Sequence, residues 1–303
     1  MAVAAWILIA TAKLVWDAHY FDGYDPSLPL NAEIISEEDR GDYHRVYFAY
    51  EACPGRRVPA LLALPTEGAP PFPVLVFLHG IGQEKEFVDE IASAFTRKGF
   101  AITSFDQYMQ GERDLDDASW AEEGLALRRR GAMTVNEARR LADYLETRED
   151  IDKDRMYLAG ASYGAITGAT AAAFDKRFKA AMLIYGGGDF SKLVSNREVD
   201  SAIGPLMNPI ASFVGWFMGP CDPVRYVAGI APRPVLFQNG ERDRIITPAA
   251  ARALQNAALE PKDVLWYPSD HPDLDPEYIP IVLEDGLEWI IEQDARICAD
   301  STG

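Results

Sequence analysis

Cysteine is scarce in this chain: Cys53, Cys221 and Cys298 are the only three in 303 residues, odd in number and widely spaced. No disulfide framework and no thiolate zinc site can be built from such a set, so reduced thiols are expected. Positive charge is also short, with 29 Lys and Arg against 47 Asp and Glu and a net charge of −18. Nucleic acids and anionic membranes are held through clustered cations, which argues against both as partners. An acidic and therefore soluble surface is reason enough for the excess. Long apolar runs are missing too. Residues 1–12 are uncharged and mostly apolar, but Lys13 and Asp17 follow, so the run falls short of the roughly 20 residues of a membrane span. It also lacks the positive n-region of a secretory signal. Ala5, Ile9, Ala12, Trp16 and Tyr20 fall on one helical stripe, and residues 2–20 read as a helix packed on the body or on the rim of its functional site. Stable membrane insertion is not expected. A cytoplasmic location follows, with secretion left open.

What is present is an alternation of strand-like and helical stretches over one continuous unit, with no internal repeat, low-complexity tract or second domain boundary. Strands are expected at Tyr43–Tyr50, Val58–Leu64, Val74–His79, Ala101–Asp106, Met156–Gly160, Ala180–Tyr185, Val235–Gln238 and Val264–Tyr267. Between the later ones lie helices. Glu84–Lys98 sets Phe87, Ile91 and Phe95 on one face before Gly99, a natural stop. After Met133, Thr134 and Glu137 read as a capping box, followed by Val135, Ala138, Leu141, Ala142 and Leu145 at helical spacing. The expected class is α/β: a mostly parallel sheet with helices on both faces and an antiparallel edge made by the first strands, residues 1–303 forming one domain with residues 1–30 as a helical extension. Residues 186–233 are too long for a simple crossover, and Ala202–Cys221 carries no charge. Gly204, Pro205, Pro209 and Gly215 would interrupt a membrane span there. The stretch reads as a helical cap whose Phe213, Trp216, Phe217 and Met218 wall an apolar acyl pocket, the other reading being an extra pair of core helices.

The chemistry sits in Gly160-Ala161-Ser162-Tyr163-Gly164, which follows the apolar run Met156–Ala159 and opens an Ala-rich helical stretch. A serine there stands on a tight strand-to-helix turn, with glycines two residues to either side making room and a helix N-terminus behind it to receive a developing oxyanion. The hydroxyl is a poor nucleophile until a base takes its proton. Of the four histidines, only His271 lies C-terminal to Ser162. It stands in Pro268-Ser269-Asp270-His271-Pro272, on a loop just past a strand. His19 and His44 suit surface or packing roles, and His79, in Leu78-His79-Gly80-Ile81-Gly82, suits bracing a loop that presents an N–H. The imidazole needs a carboxylate. Asp243, after the strand Pro234–Gln238 and before the Thr247-Pro248 helix start, is the first choice, with Glu241 and Asp270 as rivals. The order Ser, acid, His is that of α/β-hydrolases.

These residues carry a resemblance. From about Val58 to Glu292 the chain resembles the α/β-hydrolase superfamily, and within it the dienelactone hydrolase-like serine esterases, through Leu78-His79-Gly80, the Ser162 pentapeptide, Gly240 with Asp243, and His271. Dienelactone hydrolases proper carry cysteine where this chain has Ser162, which favours carboxylic ester cleavage over lactone hydrolysis. Gly-x-Ser-Tyr-Gly also resembles the prolyl oligopeptidase catalytic domain, although Ala165 replaces its second glycine and no strand-repeat propeller precedes the domain. His-Gly-Ile-Gly lacks the triple glycine of hormone-sensitive-lipase-like esterases. The resemblance implies a carboxylic ester hydrolase for short to medium acyl chains, working through an acyl-enzyme, with Ser162, His271 and Asp243 as triad and the N–H groups of Ile81 and Tyr163 as oxyanion hole. Asp106 with Gly111-Glu112-Arg113 resembles a structural loop of many relatives. A small-molecule ester is the expected partner, homo-oligomers remain open, and neither cofactor nor metal is called for. The alternatives are a prolyl oligopeptidase-like peptidase and a non-catalytic binding protein on a hydrolase scaffold.

Overall fold

The computed structural model describes residues 2–113, 120–194 and 207–301. Among the described residues the strands form one nine-stranded sheet: β1 (Glu33–Asp39), β2 (Tyr43–Cys53), β3 (Arg56–Pro65), β4 (Phe72–Leu78), β5 (Ala101–Phe105), β6 (Ile151–Ala161), β7 (Phe178–Ile184), β8 (Val235–Gly240) and β9 (Lys262–Tyr267). Their spatial order is β1-β2-β3-β5-β4-β6-β7-β8-β9. Everything from β5 to β9 is parallel, and β1, β2 and β3 make the antiparallel edge. The helices are α1 (Ala2–Ala18), α2 (Phe87–Thr96), α3 (Trp120–Leu145), α4 (Tyr163–Phe174), α5 (Phe190–Val194), α6 (Met207–Met218), α7 (Pro248–Ala257) and α8 (Ile279–Ser301). This is the α/β-hydrolase fold. Among the described residues no helix is long and apolar enough to cross a membrane.

Strand β4 shows why the centre of the sheet reads as an unbroken apolar run. Both of its faces are covered, so successive side chains enter different cores. Val74, Val76 and Leu78 join Leu158, Leu183 and Phe237 beneath α3 and α4, whereas Leu75 and Phe77 join Met182 and Leu236 beneath α2 and α8. The loops after β6, β8 and β9, at the C-terminal ends of parallel strands, carry Ser162, Asp243 and His271, and in parallel sheets ligands bind in the crevice at those ends.

Three expectations need correction. Strand β1 was not foreseen: it is an edge strand with six of its seven residues exposed, and Glu33, Glu37, Glu38 and Asp39 give it charge rather than alternation. Charge on an exposed edge discourages further strand pairing, which removes the apolar signal a strand usually shows. Thr134 and Glu137 are not a capping box but lie inside α3, which begins at Trp120; the Glu137 carboxylate is buried and takes two 2.8 Å bonds from Arg113. In α1 the side facing the body carries charge beside Trp16 of the expected stripe, whose Ala5 and Ile9 side chains lie outside the described ones. Lys13 is only 8% exposed and pairs with Asp17, while Ala12 is exposed. The reason is Arg128, 1% exposed, which must have an acid beside it and takes one from Asp17 at 2.7 Å. Trp16 still packs on the guanidinium, 3.8 Å from its ring, and Tyr20 donates to Arg128 O. Of the expected 186–233 insertion, residues 195–206 lie outside the described residues. The rest comprises α5, α6 and short 3₁₀ turns, with Gly215 of α6 close against Ser191 of α5.

Candidate active site

The turn from β6 into α4 sets Ser162 at φ 54°, ψ −115°, a conformation a non-glycine residue holds only under constraint from its surroundings. Its N–H donates to Ile184 O at 2.8 Å, tying the turn to β7. The flanking glycines are needed for contact rather than for torsion. A Cβ on Gly160 would lie 2.2 Å from Gly164 O, and one on Gly164 would lie 1.8 Å from Leu78 O. Backbone cannot step aside cheaply there. Gly164→Ala is therefore expected to destabilise the fold by ~3 kcal/mol or more, lowering Tm by roughly 6–12 °C in a thermal melt; an unchanged melting curve would show that the elbow can widen.

The structure brings Ser162, His271 and Asp243 together. His271 Nε2 lies 3.1 Å from Ser162 Oγ, and Nδ1 lies 2.8 Å from Asp243 Oδ2. The imidazole and the carboxylate are almost wholly withdrawn from water, at 2% and 1% exposure. The other oxygen of Asp243 accepts from the N–H groups of Ile245 and Ile246 at 2.8 and 2.7 Å, so the carboxylate is locked from both sides. The rivals stand elsewhere. Glu241 is exposed. Asp270 accepts from Arg244 N and His271 N and pairs with the Arg244 side chain, an arrangement that shapes the histidine loop; although burial opposes it, these bonds hold its carboxyl below the usual range.

Opposite the serine, the loop after β4 is braced rather than loose. His79 is fully buried, with Nδ1 3.0 Å from Gly80 O and Nε2 3.1 Å from Phe105 O, and burial holds its imidazole below the ordinary range. The Gly80 and Gly82 amides donate to Gln83 and Gln110. Ile81 between them and Tyr163 at the start of α4 have, among the described residues, no such acceptor for their own N–H. Behind this loop Asp106 accepts from the N–H and the ammonium of Lys85 and from Glu112 N. Gly111, at φ 56°, comes so close that a Cβ would sit 2.4 Å from the Asp106 carboxylate. Burial opposes the Lys85 charge, yet Glu112, Glu86 and Asp106 hold the ammonium above its usual range. This cluster joins the loops after β4 and β5.

Sequence reasoning missed the second layer. Tyr185, at φ 49°, sets its ring edge-on to His271, 5.6 Å between centroids, and its hydroxyl bonds Ser269 Oγ at 2.6 Å. The run Tyr185-Gly186-Gly187-Gly188 was the available signal. Arg130 stacks 4.4 Å over the Tyr163 ring. Of the α6 side chains expected to wall the acyl pocket, Phe217 meets Trp16 of α1 and Arg128 of α3, Trp216 lies under Lys13 of α1, and Phe213 stacks on Phe217 within α6. Phe213 and Trp216 are about half exposed, at 58% and 46%, and Met218 is half-buried.

A model of the prolyl oligopeptidase family matches residues 92–293, more than half of the chain. The chain belongs to the prolyl oligopeptidase family. Its fold is shared with solved structures: an acetyl xylan esterase from Paenibacillus sp. R4 is 20% identical with a TM-score of 0.73, over 91% of this chain and 93% of that one. Acetyl xylan esterase 1 from Thermoanaerobacterium sp. JW/SL YS485 is 19% identical with a TM-score of 0.63, over 89% and 92%. A glucuronoyl esterase from Solibacter usitatus is 18% identical with a TM-score of 0.59, over 89% and 88%. At such identities the likeness is one of fold. Among curated proteins none matches the chain in sequence. The family match spans Ser162, Asp243 and His271 but starts beyond the loop of Gly80 and Ile81, so the family does not by itself speak for that loop.

Proposed function

We propose that this member of the prolyl oligopeptidase family is a serine hydrolase that cleaves carboxylic esters of short to medium acyl chains. The observation that carries the reading is the unbroken relay from Ser162 Oγ through His271 to Asp243, at 3.1 and 2.8 Å, with the Ile81 and Tyr163 amides without another acceptor among the described residues. In this mechanism Ser162 Oγ attacks the ester carbonyl while its proton passes to His271 Nε2. Asp243 holds Nδ1–H and stabilises the imidazolium. The carbonyl oxygen becomes an oxyanion between the Ile81 and Tyr163 N–H groups, where fixed donors are worth more than in water. The carbon–oxygen bond to the alcohol then breaks, and the alcohol leaves with the proton from Nε2. Water, activated by the same nitrogen, releases the acid and restores Ser162. A fluorophosphonate that labels Ser162, together with turnover of p-nitrophenyl esters, is the expected result. Absence of both would leave a binding protein on a hydrolase scaffold.

The family match favours peptidase activity as the second reading, since amide and ester cleavage use the same groups. Aminoacyl amides compared with esters of the same acid separate the two, and esters are expected to be the faster substrates by far.

Residues 1–303 act in this reading as one domain, with residues 186–233 as its cap. Phe213, Trp216, Phe217 and Met218 are proposed to wall the side of the site that meets the ester's alcohol. Trp216→Ala should then lower kcat/KM for benzyl relative to methyl esters roughly tenfold, the ~1.4 kcal/mol expected if ~55 Å² of ring surface loses its partner. A shift in the acyl-chain optimum instead would place the acyl group beneath α6.

A further inference from the structure

We infer that the acyl part of the ester is seated in an apolar cavity between α2 and α8, and that the substrates are esters of neutral, apolar acids of about four or five carbons. The inference rests on the proposed role of Ser162 and adds the identity of the acyl group. The cavity measures about 110 Å³ and is lined chiefly by Phe77, Phe87, Ile91, Ile184 and Leu283. Below it a void of about 20 Å³ continues towards the core, sharing Phe77, Ile91, Ile184 and Leu283.

Its position connects it to the chemistry. Four further lining residues are Ala161, Pro272, Gln83 and Tyr185. Ala161 immediately precedes Ser162 and Pro272 immediately follows His271. Gln83 holds the Gly80 amide at 2.9 Å, and a Cβ on Gly80 would be 3.6 Å from that of Ser162. Tyr185 is the ring packed against His271. The cavity is therefore lined by residues that adjoin or contact Ser162, His271 and the loop of Gly80 at once.

Its lining decides what can enter. Gln83 Oε1 accepts from Gly80 N, the Tyr185 hydroxyl bonds Ser269, Asp273 is exposed, and the other lining side chains are apolar. A sugar's several hydroxyls would meet mostly apolar side chains there and an acyl carboxylate would meet a like charge, so an apolar, uncharged chain is the occupant that loses least on desolvation. An apolar cavity of roughly 150 Å³ accepts benzene, so 110 Å³ suits about four carbons. An acetyl group would leave most of the space empty and its lining without contact partners.

The test is a series of p-nitrophenyl acetate, butanoate, hexanoate and octanoate, read as ratios of kcat/KM so that the fraction of active enzyme cancels. At roughly fourfold per buried methylene, butanoate should exceed acetate about tenfold or more. Leu283→Trp should fill the cavity and reduce that ratio at least fivefold, whereas Leu283→Ala should raise hexanoate relative to butanoate. Ile279→Trp, at the exposed rim of the same cavity, repeats the first effect should Leu283→Trp not fold. A wild-type ratio near one, or ratios unmoved by these variants while Ser162 still takes the fluorophosphonate, would overturn the inference. Loss of labelling in the wild type would instead fell the hydrolase reading itself.

Discussion

Ser162→Ala and His271→Ala are each expected to lower kcat by about 10³-fold or more, with the double variant little worse than either alone, because the two groups act as one unit. The geometry supports so large an effect. His271 Nε2 is 3.1 Å from Ser162 Oγ and the ring is 2% exposed, so water has little access to replace it as base. The fold should survive. Ser162 is held in its unusual conformation by backbone, through Ile184 O and the glycines on either side, and none of these contacts involves the hydroxyl. Far-ultraviolet circular dichroism and Tm should therefore stay close to wild type while turnover disappears. Retained activity in Ser162→Ala, or losses that simply multiply in the double variant, would mean that the three residues are not the reacting unit.

Asp243→Asn is expected to be nearly as severe, and its mechanism is distinct. The native carboxylate accepts on both oxygens, from the Ile245 and Ile246 amides on one and from His271 Nδ1–H on the other. In asparagine the side-chain oxygen satisfies the two backbone amides, which turns the NH₂ group towards Nδ1. The imidazole must then carry its proton on Nε2, facing Ser162, where it cannot act as base. The corresponding change in another Ser-His-Asp enzyme lowers kcat by about 10⁴-fold, and a loss of that order is expected here with the fold intact. Glu241→Gln should have no comparable effect, since Glu241 is exposed. Asp270→Asn should cost no more than about tenfold, since its partners are Arg244 and the His271 N–H rather than the ring. If either proved the more damaging, the acid would have to be reassigned.

Much of this site was legible because its parts are coded locally. The Ser162 elbow needs glycines at fixed offsets, and the contacts a Cβ would make at Gly160 and Gly164 involve residues of the turn itself or of the adjoining strand. Strands such as β4, and β6 from Met156 on, are apolar on both faces because both are covered, and that pattern survives in a short sequence window. What could not be read depended on distant segments. Glu137 looks like a capping residue until Arg113 is brought to it. Nothing local to α1 places Trp16 against Arg128, or Asp17 beside the same guanidinium. The aromatic residues of α6 give no local sign that α1 lies against them, with Phe217 beside Trp16.

The sequence by itself determined the α/β class, the elbow serine and the order of serine, acid and histidine, since each follows from periodicity or from turn chemistry within a few residues. Which of three carboxylates stands beside His271 is a matter of the tertiary structure alone, because it depends on how the loops after β8 and β9 meet: Asp243 Oδ2 arrives 2.8 Å from His271 Nδ1 while Glu241 is exposed. The cavity between α2 and α8 belongs to the same kind of fact. Phe77, Ile91, Ile184 and Leu283 come from four separate elements, and whether four apolar side chains close on one another or leave a space is a matter of how helices sit on a twisted sheet, which no local pattern records.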